Sequence, residues 1–204
     1  MPRLNFLAPA LLALPLLSLA APAPAERAAD SLSPIVACLS GDAFRVYEAK
    51  RLPAKVSSRP LLSPGGQFEL QLADGYGLKL YTPRGKLFAE VSIERAPPQA
   101  FAANREAIRT QLQGFADHHP QGAVPLERTE LRGVQMLAVR QTSLVVPGPM
   151  AYLALLYEPS ALMVNAQWLK PSPPARAFTD LDGYEKLRKV AEELLVDCML
   201  AHKP

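Results

Sequence analysis

The sequence predicts an α+β domain: a single antiparallel β-sheet of about six to seven strands, with two main helices and a short N-terminal helix. Three observations carry this. Apolar residues alternate with polar ones between turn signals over 68–93 and 124–169. Helical apolar spacing is confined to 32–39, 98–115 and 180–201. The links between consecutive strands are too short for parallel crossovers, so neighbours are antiparallel.

The first 25 residues read as a secretory signal peptide. Arg3 supplies a positive start, residues 4–20 are apolar apart from Asn5, Ser18 and the prolines, and Ala21-Pro22-Ala23-Pro24-Ala25 offers small-residue cleavage sites. A retained membrane anchor is the weaker reading, because the run has about 17 residues, the lower limit for a span, and Pro9 and Pro15 interrupt it. A lipoprotein is weaker still: Val36-Ala37-Cys38 resembles a lipobox, but Glu26, Arg27 and Asp30 separate it from the apolar run. Cleavage leaves 26–204, about 180 residues, as one domain with one core.

Residues 32–39 carry Leu32, Ile35, Val36 and Leu39 at helical spacing, ended by Ser40-Gly41. Residues 43–49 suit a strand or a helix, and Pro53, Pro60, Pro64 and Gly65-Gly66 mark an irregular connection. Phe68, Leu70 and Leu72, then Tyr76, Leu78 and Leu80, alternate on either side of Asp74-Gly75, a hairpin signal. Pro83-Arg84-Gly85 turns the chain into a third strand, with Leu87, Ala89, Val91 and Ile93 on one face, so a three-stranded meander is expected. Pro97-Pro98 starts a helix whose Phe101, Ile108, Leu112 and Phe115 share a side, Arg105 being the polar exception. Strands are expected at 124–131, 134–143, 151–158 and 161–169, and a final helix at 180–201. Tyr184, Leu187, Ala191, Leu194 and Cys198 would form its apolar stripe, broadened by Val190 and Leu195, with Thr179 or Asp180 as cap.

Meander, helix, meander, helix is an order that resembles the PsbP-like superfamily, including its bacterial DcrB-type members. The likeness spans roughly 66–200: residues 87–93 leading to the Pro97-Pro98 helix, Arg132-Gly133-Val134, paired strands, then 180–198. It implies binding, docking or chaperone-like roles rather than catalysis.

Two cysteines, Cys38 and Cys198, lie 160 residues apart. In an exported chain they are expected to pair, since such compartments are oxidising; two buried thiols are the alternative, and no Cys-x-x-Cys redox motif occurs. The net charge of +3 is too weak to imply nucleic acid. No catalytic residue, metal site or cofactor is expected.

Asp117, His118 and His119 form the most conspicuous polar cluster, a weak candidate for metal or general-base chemistry. A metal needs more converging ligands, so an exposed turn at a helix end is the plainer account. A periplasmic hydrolase using His118 or His119 is the enzymatic alternative, without a Gly-x-Ser-x-Gly elbow around Ser143 or Ser160. Glu90 and Glu94 could flank a glycosidic bond, but a solvated sheet face explains them more simply. Gly75-Tyr76-Gly77 sits in the predicted hairpin and so is no phosphate loop. Arg45, Lys50, Arg51, Lys55 and Arg59 give a basic bias that could meet an anionic surface, diluted by Asp42 and Glu48. Met136, Met150, Met163 and Trp168 suit a ligand groove or, more simply, the core.

The expected role is a non-catalytic periplasmic binding protein. Its partner would be another envelope protein, met through an exposed sheet face or the loops around Pro147 and Pro171, as an immunity protein, an inhibitor or an assembly factor. A small-ligand or lipid carrier is the other alternative.

Overall fold

The computed structural model describes residues 30–52, 58–141, 143, 148–170 and 181–202. The expected leader, Lys55, Pro147, Pro171 and the cap at Thr179 or Asp180 lie outside them. The strands are β1 (Arg45–Arg51), β2 (Ser58–Ser63), β3 (Gly66–Gln71), β4 (Asp74–Tyr81), β5 (Leu87–Arg95), β6 (Glu127–Leu131), β7 (Val134–Arg140), β8 (Ala151–Tyr157) and β9 (Leu162–Trp168). The helices are α1 (Ser33–Cys38), α2 (Phe101–Asp117) and α3 (Leu181–Ala201). Seven strands form one antiparallel sheet in the order β1-β4-β5-β9-β8-β7-β6, while β2 and β3 pair as a separate two-stranded sheet. The class is α+β, as the pattern of the sequence predicts, with the small second sheet an addition to it.

Strand order follows from one long excursion. After β5 the chain runs through α2 to the far edge at β6, then returns strand by strand until β9 pairs with β5. Two of the expected turns form: Gly85 donates to the Thr82 carbonyl between β4 and β5, and Arg132-Gly133 links β6 to β7 with both residues left-handed.

The sheet has a core on each face. On one, Leu80, Val91, Ile93, Leu153, Leu155, Val164 and Trp168 pack against α1 and α3. On the other, Leu137, Val139, Ala154, Leu156 and Met163 meet Phe101, Ile108 and Leu112 of α2, with Leu61 and Leu70 of the β2–β3 hairpin. β7 and β8 are covered on both sides, which is why they read as nearly continuous apolar runs. Burying each such large side chain contributes about 1.5–3 kcal/mol.

Three expectations are corrected. Asp74-Gly75 is no turn; it begins β4, with Asp74 opposite Arg95 and Gly75 opposite Glu94. β3 therefore does not pair with β4 and the meander has two strands. Gly75 does not have a positive φ; its missing side chain makes room for Leu52, whose Cδ1 would lie 2.6 Å from an added Cβ. The real partner of β3 is β2, inside the stretch that reads as irregular. Pro60 is tolerated there because the hairpin is a two-stranded ribbon, not a central strand. In α3 the expected stripe is buried at Tyr184, Ala191, Leu195 and Cys198 and half-buried at Leu187 and Leu194, but Val190 is exposed and the buried face also includes Arg188 and Glu192. The face turns towards a charge network: Arg188 pairs with Glu185 and Glu192, and Arg140 of β7 lies 3.4 Å from Glu192. Burial alone would favour the neutral Arg188 side chain, and its two glutamate partners reverse that, holding its pKa above the usual value.

Candidate functional site

On the α2 side, the helix covers β7 and β8 but leaves the β1-β4-β5-β9 half of the sheet uncovered, and the β2–β3 hairpin arches over that half. Between them lies a cleft of about 750 Å³, within the usual size of ligand sites. Its floor is built by alternation. Leu78, Val91, Val164 and Ala166 belong to the core beneath, so their neighbours Lys79, Ser92, Asn165 and Gln167 face up into the cleft. Glu90 joins them from β5, and Glu48 and Lys50 from β1. Leu61 and Arg59 form the roof; Leu112 and Phe115 of α2, with Tyr152 of β8, form the wall. The Phe115 and Tyr152 rings are stacked, centroids 4.1 Å apart, and burial pushes the Tyr152 hydroxyl pKa up.

One ion pair joins roof to floor. Both oxygens of the Glu94 carboxylate accept from the Arg59 guanidinium, Nη2 to Oε2 at 2.8 Å, and the Asn165 side-chain amide donates to Oε2 at 3.3 Å. Glu94 is 0% exposed and Arg59 26%. Glu94 is thus no solvated carboxylate, a correction to the sheet-face expectation: the hairpin covers it. Other bonds fix the hairpin to α2. The Asn104 side chain exchanges two hydrogen bonds with the Gln71 backbone, at 3.0 and 2.7 Å. The Ser63 hydroxyl donates to the Gln111 carbonyl at 3.2 Å, and the Gln111 side-chain amide donates to the Leu62 carbonyl at 2.8 Å.

Among the described residues, the basic side chains of 45–59 do not converge on one surface. Arg45 is exposed at the start of β1, and Arg51 holds Asp74 through two contacts of 3.1 Å. Lys50 and Arg59 line the cleft. β1 is an edge strand with a bulge at Glu48, whose φ is 55°; charges and a bulge protect such an edge from pairing with other chains. Across β1 and β4, Glu48 and Lys79 pair at 2.8 Å.

Asp117, His118 and His119 lie at the C-terminal end of α2. The Asp117 carboxylate accepts from Gln113, His118 Nδ1 is 3.0 Å from the Gly114 carbonyl, and His119 Nδ1 accepts from the Gln121 amide. No group of three or more potential metal-binding side chains occurs among the described residues. Met136, Met150 and Trp168 sit in one core and Met163 in the other, all buried, so they line no groove. Cys38 and Cys198 are bonded, their Cα atoms 5.6 Å apart, tying the end of α1 to α3. Among the described residues no helix is long and apolar enough to cross a membrane.

Sequence reasoning missed Asn165 and Gln167. Their signal was present: they are the polar positions of a strand whose Leu162, Val164, Ala166 and Trp168 alternate as core. No family model, curated protein or solved structure matches this chain.

Proposed function

We propose that this chain is an exported binding protein that acts in the periplasm by holding a ligand in the cleft between sheet and hairpin. The observation that carries this is the cleft's make-up: an apolar wall faces a floor of two amides, one hydroxyl and four charged side chains, and the Arg59–Glu94 ion pair joins roof to floor. Asn165, Gln167 and Ser92 offer donors and acceptors on rigid strands, the arrangement that orients a ligand. The leader-like first 25 residues and the Cys38–Cys198 bond support export to an oxidising compartment. The resemblance to PsbP-like proteins, drawn from element order, points to binding as well.

The test uses protein made with its leader and recovered from periplasm, studied by native mass spectrometry. A Cβ at Gly77 would meet nothing within 4 Å, and the residue lines the cleft without a positive φ. The backbone at Gly77 therefore accepts a side chain, and Gly77→Phe directs an aromatic ring into the cleft. The reading expects a mature mass lacking the leader and two thiol hydrogens, and a small-molecule adduct on the wild type that Gly77→Phe lacks. A bare wild-type protein, or an adduct equally present on both, contradicts it.

A further inference from the structure

The two edges of the large sheet are built differently. β1 ends it on one side and carries the bulge at Glu48. β6 ends it on the other, and among the described residues no strand lies beyond it. Its sequence, Glu-Arg-Thr-Glu-Leu, holds no Pro or Gly, and it pairs with β7 from Glu127 to Leu131 without a break in register. The two-residue Arg132-Gly133 turn makes Leu131 and Val134 a hydrogen-bonded pair. Alternation then turns the backbone N–H and C=O of Glu127, Thr129 and Leu131 towards β7, and those of Arg128 and Glu130 outwards. Arg128, Thr129 and Glu130 are exposed, and neither charged side chain has an ion pair among the described residues. An edge without bulge or proline is a template for another strand; its charges deter a partner only where like meets like.

We infer that β6 is a dimerisation edge, taking β6 of a second copy of this chain in antiparallel pairing about Thr129. The charge pattern selects both the partner and the register. Pairing about Thr129 sets Arg128 of each copy opposite Glu130 of the other. Both side chains lie on the α2 face, since Arg128 is opposite Leu137 of the α2-side core. The outward backbone groups of Arg128 and Glu130 face each other in the same pairs, so each pair exchanges both of its N–H···O=C bonds. Thr129 meets its own copy on the other face, a favourable cross-strand pair. The neighbouring symmetric registers with the same backbone bonding fail. Pairing about Arg128 sets Arg128 against Arg128. Pairing about Glu130 sets Glu130 against Glu130 and Arg128 against Arg132. Like charges directly opposite each other destabilise a strand pair. The contact is self-complementary and closes as a two-fold dimer. The outer edges of the joined sheet are then both β1, whose bulge stops further growth.

The experiment is sedimentation velocity of the mature protein, disulfide intact, from about 10 μM to about 1 mM. One short strand edge makes a small contact of the transient class, so monomer is expected at the low end and a growing dimer fraction at the high end. An exposed ion pair is worth up to about fivefold in affinity, and symmetry supplies the pair twice, so Arg128→Glu is expected to weaken the dimer by roughly tenfold or more. The swap Arg128→Glu/Glu130→Arg reverses each pair and is expected to restore it. Glu130→Pro removes an outward N–H and none that bonds to β7, so it is expected to abolish the dimer while circular dichroism shows the chain still folded. A wild type that stays monomeric throughout leaves the edge to a strand of some other chain and overturns the inference. A dimer that Arg128→Glu and Glu130→Pro leave unchanged overturns it too. A swap as weak as Arg128→Glu alone does the same, because the pairing about Thr129 is then wrong.

Discussion

Removing Arg59 should cost this protein far more than removing the charge of its partner. In Arg59→Met the roof loses its guanidinium, and the fully buried Glu94 carboxylate keeps only the Asn165 amide at 3.3 Å. Breaking a buried pair by deleting one member costs about 3–5 kcal/mol. Arg59 is 26% exposed, so water can reach the gap and the lower end, about 3 kcal/mol, applies. Glu94→Gln keeps the shape and a hydrogen-bonding group, and leaves a guanidinium that already touches solvent. Its cost is about 1 kcal/mol. With a urea slope of about 2 kcal/mol per molar, the midpoints fall by roughly 1.5 M and 0.5 M. The double variant Arg59→Met/Glu94→Met should lose less than Arg59→Met alone, because no charge is then stranded. Equal losses from the two single variants, or a loss below about 1 kcal/mol for Arg59→Met, would refute the buried-pair reasoning.

Further expectations concern the parts that hold the cleft's frame. Cys38→Ala/Cys198→Ala removes a crosslink closing 160 residues and should lower stability by up to about 5 kcal/mol in the chain-entropy model; unchanged urea midpoints with and without reductant contradict this. Gly114→Ala should destabilise, although alanine favours a helix by about 1 kcal/mol. Its Cβ would lie 2.2 Å from Ser63 Oγ and 3.3 Å from the Gly65 nitrogen, so the hairpin must shift; Ser63→Gly in the same chain should restore stability, and a raised midpoint for Gly114→Ala alone denies the close contact. Burial alone would raise the Asp30 carboxyl, but the Tyr76 hydroxyl, the Ser33 amide and Arg51 outweigh it and hold it below the usual carboxylate value. The same bond, with burial, pushes Tyr76 up to about 12. The Asp30 contribution is therefore present above its unfolded value and lost as pH falls through the folded one. That of Tyr76 is present below its unfolded value and lost as pH rises from about 10 to about 12. Urea midpoints should fall more steeply over that alkaline range in the wild type than in Tyr76→Phe, and parallel curves contradict the bond.

What the sequence made legible was local. Pro97-Pro98 with Phe101, Ile108 and Leu112 places α2, and turn chemistry at Gly85 and Arg132-Gly133 places two hairpins, because each signal lies within a few residues of the structure it makes. Asp74-Gly75 misleads for the opposite reason: pairing to β1 and β5, set by distant residues, overrides a local turn preference. β2 is hidden by Pro60, which argues against a central strand but is tolerated in a two-stranded ribbon. The α3 stripe holds at Tyr184, Ala191, Leu195 and Cys198, but Val190 is exposed and Arg188 and Glu192 join the buried face, where Arg140 is brought to them. The cleft depends on which half of the sheet α2 leaves bare, and on an ion pair whose members are 35 residues apart. Neither is written in any local pattern, although the polar residues of β5 and β9 are its trace.

The most direct test of the central claim is an amide NMR titration of isotope-labelled protein with the small-molecule fraction of a periplasmic extract. Occupancy of the cleft predicts saturable shifts concentrated at Ser92, Asn165 and Gln167, absent in Gly77→Phe. Shifts centred instead on His118 and His119, or identical in the two proteins, would place the ligand elsewhere and contradict the account.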